Sequence, residues 1–311
     1  MASARAQLGC MTQIALLPER GVVEVTGADR VAFLQGLVSN DVTLAAPGEP
    51  NAAPGDAVWA ALLTPQGRWL TDFFIFCTDD GEDARLLLDA PRAAIPDLIA
   101  RLSRYRLRAQ ASLRDASEAW HVQVAWDGPA PMAAEGVVAA DPRLSGAGWR
   151  VLSPAPLAAN ASAADWQARR LALGLPEPAD LEAEKTLLLE ANFDALDGIS
   201  WTKGCYMGQE VTARTRFRGL VKRRLVPVTI ACTLPGEIPA PGTPVLAGTE
   251  TLGTLRSACR TGPESGLGLA MLRLDFPAAG PLHCGTAELV AHPPAWLPLP
   301  APAARSAKGP A

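Results

Sequence analysis

Short apolar and β-branched segments, separated by turns rich in Gly and Pro, fill the sequence beyond Lys222. Such regularly spaced segments predict a small, separate β-barrel. The predicted strands lie at 225–230, 244–246, 252–259, 266–274 and 287–291. Residues 293–311 are rich in Pro and Ala, and we expect this tail to be disordered.

The preceding part of the chain mixes strand and helix patterns. Val23 and Val25 alternate with polar residues, as in a half-buried strand, and apolar residues at helical spacing follow between 31 and 38. Apolar runs at 58–63 and 69–76 flank a four-residue turn and predict a β-hairpin. The other predicted elements are helices at 91–104 and 162–174, strands within 112–126, a loop at 127–148 and an irregular segment at 176–200.

Charge, hydropathy and cysteine spacing exclude several classes of protein. The net charge of −4 argues against a globally basic nucleic-acid binder. The N-terminal residues lack the roughly 7–15 apolar residues of a secretory signal, and no run approaches the ~18 of a membrane span. We therefore expect a soluble, cytoplasmic protein. The six cysteines include no CxxC pair and the three histidines complete no zinc pattern, so no metal site is expected.

Residues 201–224 concentrate charge and reactive side chains. Seven basic residues against one acid, Glu210, give this segment a net charge of +6. A positive strip on an acidic protein indicates an anionic ligand. Alternation of Arg214, Arg216 and Arg218 is equally typical of a solvated edge strand, and both interpretations stay open.

Cys205 lies in a setting that favours a reactive thiol. Lys203 precedes it by two residues, Gly204 and Gly208 bracket it, and residues 209–214 have a helix-compatible composition. A helix N-terminus and a nearby ammonium both stabilise a thiolate, and glycine lets a ligand approach the backbone closely. The alternative is a buried, apolar cysteine in a glycine-rich turn.

Residues 203–210, Lys-Gly-Cys-Tyr-Met-Gly-Gln-Glu, resemble the KGC[YF]xGQE signature of YgfZ-type folate-binding proteins. These belong to the larger family of glycine-cleavage T-protein-like, tetrahydrofolate-dependent proteins. The resemblance covers roughly residues 14–292. It includes the segments 25–29, 33–36, 40–42, 63–68 and 198–200.

The resemblance implies an α+β fold in which three subdomains form a T-protein-like ring around a central folate channel. Two intertwined α+β subdomains would occupy residues 10–221, and the β-barrel residues 222–292. The implied cofactor is tetrahydrofolate. The implied role is assembly or repair of iron–sulfur clusters, which supports iron–sulfur enzymes including those that modify tRNA. We expect a monomer with iron–sulfur client or assembly proteins as partners, without membrane or direct nucleic-acid binding.

Catalytic candidates follow from these residues and from the resemblance. Cys205 would be the reactive thiol and Lys203 would support its thiolate. Asp72 is a further candidate, because the aminomethyltransferase branch has an acid doublet where this chain has Thr71-Asp72. A plain strand-start acid is the alternative for Asp72.

Folate contacts are implied by the resemblance alone. Trp166 stands where the family has a tryptophan near the folate, and an aromatic face suits a planar pterin. Its alternative role is to anchor a helix in the core. Ala172 replaces an acid that would recognise the pterin, and Arg20 replaces a second tryptophan. The implied folate-binding residues are Trp166, Asn192, Tyr206, Gly208, Gln209, Glu210, Arg214 and Arg218.

Two other functions stay open. One is a glycine-cleavage aminomethyltransferase, against which the signature and the single acid argue, so that enzymatic one-carbon transfer is undecided. The other is a non-enzymatic RNA- or partner-binding scaffold that uses the strip 214–224. The acidic remainder of the chain and the lack of an aromatic RNA-reading motif argue against RNA.

Overall fold

The computed structural model describes residues 11–46, 56–78, 84–232, 238–278 and 280–299. The chain divides into two compact units, each made of several chain segments. The first unit comprises Met1–Gln167, Ala183–Lys185 and Leu196–Val211, and the second comprises Ala168–Glu182, Thr186–Ala195 and Thr212–Ala311.

The first unit contains two antiparallel sheets. In chain order its elements are β1 (Gln13–Leu16), β2 (Arg20–Thr26), α1 (Arg30–Gln35), β3 (Ala57–Leu63), β4 (Trp69–Cys77), β5 (Leu86–Pro91), α2 (Ile95–Arg106), β6 (Ser112–Asp115), β7 (His121–Trp126), β8 (Val137–Ala140) and β9 (Trp149–Ser153). One sheet has the strand order β3-β4-β5-β2-β6, and the other has the order β1-β7-β9-β8.

An apolar core lies on one face of the five-stranded sheet. Val23 and Val25 of β2 point into it, as their alternation predicts, together with Phe33 and Leu34 of α1. Helix α2 adds its apolar stripe, which includes Leu98. The predicted hairpin is confirmed as β3 and β4, and its Gly67 has φ +73°, a conformation that glycine adopts at little cost.

Charged residues also lie in the interior of the first unit. We call Arg20, Asp89, Asp141, Arg143 and Arg150 the buried arginine cluster; each is at most 4% exposed. Arg150 of β9 donates to Asp89 of β5 at 2.8 Å and so joins the two sheets. Its guanidinium carbon lies 3.4 Å from the centre of the Phe74 ring, and Arg20 forms an ion pair with the same aspartate. Arg20, which stands at the family's tryptophan position, is therefore a buried structural cation.

Helix α3 (Ala163–Leu173) follows the sheets and has predictable ends. Ser162 accepts a hydrogen bond from the amide of Asp165, whose carboxylate accepts one from the Ser162 amide, so the pair forms a reciprocal cap. Gly174 ends the helix at φ +77°. The segment 176–200 then contains only a single 3-10 turn, Pro178–Asp180, which agrees with its predicted irregularity.

A closed barrel forms the larger part of the second unit. After α4 (Gln209–Phe217), its strands are β10 (Arg223–Ala231), β11 (Pro244–Ala247), β12 (Glu250–Arg260), β13 (Ser265–Arg273), β14 (Leu282–Cys284) and β15 (Ala287–Ala291). They close in the order β10-β13-β12-β11-β14-β15. The five predicted strands are present. The three-residue strand β14 escaped prediction because it is too short to show alternation, yet it pairs with both β11 and β15.

Two segments differ from the sequence-based expectation. The predicted loop 127–148 contains β8, which pairs with β9 through the residues Val137–Ala140. The start of the predicted disordered tail is ordered, because Leu297 is 6% exposed and Trp296 packs against the barrel core. Residues 300–311 lie outside the described residues. Every helix in the described ranges is too short or too polar to cross a bilayer.

Candidate functional site

Hydrogen bonds to the residues after α1 fix the beginning of the segment 197–208, which we call the signature loop. The Ser39 hydroxyl donates to the Gly198 carbonyl at 2.7 Å. The Asn40 amide donates to the Asp197 carbonyl at 2.6 Å and to the Trp59 carbonyl at 2.9 Å. Ser39 and Asn40 are buried, so these bonds are shielded from water. Sequence reasoning did not assign Ser39, although the segment beside it carried part of the family resemblance.

Lys203 anchors the middle of the signature loop. Its ammonium donates to the carbonyls of Val38, at 2.8 Å, and Asn40, and lies 5.4 Å from the centre of the Tyr206 ring. Burial lowers the pKa of Lys203 to about 8, against the opposing attraction of Asp41. Within the described residues no hydrogen bond joins Lys203 to the Cys205 sulfur. The role that Lys203 has in this structure is to hold the loop; its support of a thiolate stays a prediction.

Glycine contacts anchor the end of the signature loop. The Met207 amide donates to the Gly36 carbonyl at 3.2 Å. Gly208 has φ +82°, and a Cβ atom at this position would lie 2.6 Å from the Thr64 carbonyl oxygen in the hairpin turn. A Cβ on Gly67 would likewise lie 2.7 Å from the Gly208 carbonyl oxygen. The backbones of the signature loop and the hairpin turn can therefore touch only because both positions are glycine. Gly208 thus has a packing role.

Gly204 and Cys205 are the exposed part of the loop between these anchors. Gly204 has φ +95° and no atom within 4 Å of the position of a Cβ, so its side faces open space. Cys205 is a free, exposed cysteine, which rules out the buried apolar alternative. The predicted helix begins at Gln209, four residues after Cys205. The arrangement presents one thiol to solvent on a loop held at both ends.

The basic strip separates into structural and exposed residues. Arg214 and Arg216 lie on α4, so the edge-strand interpretation is wrong. Arg224 is buried and forms a bidentate ion pair with Asp194, at 2.9 and 2.8 Å. Arg223 forms a similar pair with Glu190. The exposed cations of the strip are Arg214, Arg216, Arg218 and Lys222.

Asp72 is enclosed by tryptophans. It is 2% exposed on β4, and its two oxygens accept hydrogen bonds from the indole nitrogens of Trp59, at 2.9 Å, and Trp69, at 3.0 Å. Both oxygens of the carboxylate are thus used inside the core. This placement gives Asp72 a packing role.

Trp166 and Asn192 are also packed in the interior. Trp166 is 4% exposed, and the centre of its ring lies 5.8 Å from the centre of the Trp126 ring. Asn192 is fully buried with φ +65°. Its amide donates to the Leu225 carbonyl at 2.8 Å, and its oxygen accepts from Arg224. These contacts fix the start of the barrel and give both polar side-chain atoms of Asn192 a partner within the protein.

The remaining predicted contacts lie at the start and end of α4. The Gln209 side-chain oxygen accepts from the Tyr206 amide at 3.4 Å, and Tyr206 is 7% exposed. Glu210, Arg214 and Arg218 are exposed. Nowhere in the part of the chain that the structure describes do three or more His, Cys, Asp or Glu side chains gather as a possible metal site.

Comparison of the fold identifies a structural relative. Aminomethyltransferase T of the glycine cleavage system from Bartonella henselae superposes with a TM-score of 0.69 over 93% of this chain and 87% of that protein, at 12% sequence identity. The expected α+β, T-protein-like fold is confirmed. The model of the CAF17 C-terminal β-barrel domain matches residues 222–299.

Comparison of the sequence identifies closer relatives. The mitochondrial iron–sulfur cluster assembly factor IBA57 of Mus musculus is 33% identical over 308 residues, which cover 91% of this chain and 84% of the relative. The human protein is 33% identical over 306 residues, with the same shares. The IBA57 homologue of Mycosarcoma maydis is 40% identical over 229 residues, but this chain spans only 57% of its length.

The expected cytoplasmic location is wrong, since these relatives are named as mitochondrial proteins. The expectation of a cytoplasmic protein depended on the lengths of apolar runs alone. Mitochondrial targeting uses amphipathic, arginine-rich segments, which a search for apolar runs does not address. With a relative that aligns along most of both sequences and a T-protein-like fold, this chain belongs to the IBA57 family of iron–sulfur cluster assembly factors.

Proposed function

We propose that this protein is an accessory factor in the assembly or repair of iron–sulfur clusters, and that the Cys205 thiol is its reactive group. The observation that carries the proposal is the exposure of Cys205 between two anchored parts of the signature loop. The family relatives, which are named as iron–sulfur cluster assembly factors, support the same role.

The chemistry of a single exposed thiol requires a partner. A cysteine thiolate is both a nucleophile and the usual ligand of iron in iron–sulfur clusters. Clusters are held by several thiolates, and one cysteine supplies only one of them. Cys205 would therefore act together with groups of a client or assembly protein, which must come close to the signature loop.

Replacement of the thiol tests this function. Cells that lack their own member of the family would produce wild-type protein, Cys205→Ser or Cys259→Ser, and the readouts would be the activity of an iron–sulfur enzyme and the level of thiolated tRNA. Cys259 is half-buried in the barrel and serves as the matched control. We expect wild-type protein and Cys259→Ser to restore both readouts and Cys205→Ser to restore neither, at equal protein level and melting temperature. Full rescue by Cys205→Ser would refute the role of the thiol.

Tetrahydrofolate forms a separate part of the proposal. The fold, which resembles that of an aminomethyltransferase, supports it. Only part of the implied residue set fits, because Trp166 and Asn192 are used in packing. Arg214 of α4 and Arg218, which directly follows this helix, are exposed and could bind the carboxylates of a folate glutamate tail.

Calorimetric titration with tetrahydrofolate tests this part. We expect the double variant Arg214→Ala with Arg218→Ala to bind at least tenfold more weakly than the wild type, and Trp166→Phe to bind equally well. A wild type that does not bind would remove folate from the proposal and leave the Cys205 experiment unaffected.

The two alternative functions are not favoured. An aminomethyltransferase that used Asp72 would need an accessible carboxylate, and this one is enclosed by two indoles. An RNA scaffold would lose Arg223 and Arg224 to their ion pairs with Glu190 and Asp194.

A further inference from the structure

We propose that the exposed end of α2, with the groove beside it, binds an acidic segment of a partner protein and takes one aliphatic side chain of that segment into the groove. We call residues 104–108, Arg-Tyr-Arg-Leu-Arg, the α2-end surface. The inference deepens the proposed function, because it names the chemistry of the partner that must approach the signature loop.

Charge is the first argument. No acidic residue occurs between Asp97 and Asp115, whereas this stretch contains five arginines. Arg101 pairs with Asp97 at 2.5 Å and lies 3.7 Å from Glu184. Arg104, Arg106 and Arg108 are exposed and form no ion pair among the described residues. Three uncompensated guanidinium groups favour a partner rich in carboxylates.

Exposed apolar side chains between these arginines are the second argument. Leu107 is 90% exposed and Tyr105 is 44% exposed. Leu107 also has φ +42° and ψ −102°, a backbone conformation that is unfavourable for a residue with a Cβ. A strained residue that presents an apolar side chain to water is typical of a binding surface rather than of a helix end selected for stability.

The groove is the third argument. It has a volume of about 70 Å³ and is lined by Arg104, Tyr105, Leu62, Pro65, Leu70 and Met207. We infer that a groove of this size takes one aliphatic side chain. The lining combines apolar side chains with Arg101 and Arg104, which matches an acidic peptide that carries an aliphatic residue.

The position of Met207 connects this surface with the reactive thiol. Met207 belongs to the signature loop and follows Cys205 by two residues, a span of at most about 7 Å along the chain. A partner bound at the groove would therefore lie beside the Cys205 thiol.

Fluorescence anisotropy with a defined probe tests the inference. The probe is a short fluorescein-labelled peptide of Asp and Glu with one central Leu, titrated with the full-length protein. We expect Arg104→Glu with Arg106→Glu to weaken binding at least tenfold. The double variant Lys222→Glu with Arg260→Glu, which changes the net charge equally at two other exposed positions, should bind as the wild type does.

Two matched probes separate the parts of the inference. A peptide with Ser in place of Leu should bind several-fold more weakly to the wild type, and Tyr105→Ala should abolish this difference. Equal binding of both peptides to the wild type would overturn the groove. Equal loss of binding in the two double variants would overturn the surface, and tighter binding of a single-stranded RNA of the same charge would assign the surface to nucleic acid.

The result is independent of the Cys205 experiment. Cys205→Ser should bind the peptide with wild-type affinity, because the peptide contacts the groove and not the thiol. Failed peptide binding with a loss of rescue by Cys205→Ser would overturn the α2-end surface alone. Normal peptide binding with full rescue by Cys205→Ser would overturn the proposed reactive thiol alone.

Discussion

At the scale of single residues, Lys203 shows that position in the sequence does not reveal which atoms a long side chain contacts. The sequence places an ammonium two residues from a thiol, and proximity along the chain suggests an interaction. In the folded protein the lysine side chain instead reaches back to the carbonyls that follow α1. Spacing along the chain gives no direction for a long flexible side chain, so this contact could not be predicted.

The first prediction concerns the titration of Lys203. Its folded pKa of about 8 lies below the ordinary value of 10.5, so between these pH values the unfolded chain holds a proton that the folded chain has lost. The free energy of unfolding should therefore rise with pH across this window, and Lys203→Met should remove that rise. The ¹⁵Nζ resonance of Lys203 should titrate with a midpoint near pH 8, and assignment is simple because the chain has only Lys185, Lys203, Lys222 and Lys308. A midpoint near pH 10 would contradict the buried position.

The second prediction compares two glycines of the signature loop. Both have positive φ, but only Gly208 is in close contact with another backbone, at the hairpin turn. We expect Gly204→Ala to lower the free energy of unfolding by about 1 kcal/mol, the cost of the backbone conformation alone. Gly208→Ala should lower it by roughly 2–4 kcal/mol, because the hairpin turn must also move. Urea unfolding of both variants checks this, and equal losses would contradict the packing role of Gly208.

At the scale of secondary-structure elements, the two sheets of the first unit are joined by the charged side chains of the buried arginine cluster. Arg150 of β9 and Asp89 of β5 join the sheets across the Phe74 ring. Burial alone would raise the pKa of Asp141, but Arg143 and Arg150 outweigh this and hold it well below its usual range. Asp141 therefore contributes stability at all pH values above the unfolded pKa of about 3.9, and this stability is lost as the pH falls below that value.

The third prediction removes one partner from this cluster. Asp89→Ala leaves Arg20 and Arg150 buried without their shared carboxylate, which should lower the free energy of unfolding by about 3–5 kcal/mol. The matched control is Asp97→Ala, which breaks the exposed pair with Arg101 on α2 and should cost about 0.3–0.5 kcal/mol. Chemical denaturation distinguishes the two, and a loss below about 1 kcal/mol in Asp89→Ala would show that the sheets do not depend on this ion pair.

At the scale of the whole molecule, periodic and capped elements could be predicted, and long-range partners could not. The hairpin, the capped helix α3 and five barrel strands follow local patterns of apolar and turn residues. These elements could therefore be predicted from the sequence. Strand β8 lies in an Ala- and Gly-rich stretch, and its pairing with β9 comes from long-range contacts. The exposure of Leu107 could not be predicted, because a leucine at the end of an amphipathic helix is normally expected to be buried.

In the candidate site, too, some features could be predicted from the sequence and others could not. The thiol of Cys205 and the helix after it could be inferred from residue types in the signature. The family resemblance implies that Trp166 and Asn192 bind folate. Residue type does not decide this, because an aromatic ring and an amide look the same in sequence whether they bind a pterin or pack in the core. Their burial and their contacts, the Trp126 ring for Trp166 and a hydrogen bond to the Leu225 carbonyl for Asn192, show how the two side chains are packed.

The first unit is built from three separate segments of the chain, and its last segment is synthesised long after the first. Its sheets end at Ser153, but Leu196–Val211, which carries the signature loop, belongs to the same unit. Ser39, Asn40 and Gly67, which anchor that loop, leave the ribosome more than a hundred residues earlier. At typical translation speeds they wait on the order of ten seconds for their partners. The Cys205 thiol thus reaches its place only after the residues that anchor the signature loop have been synthesised.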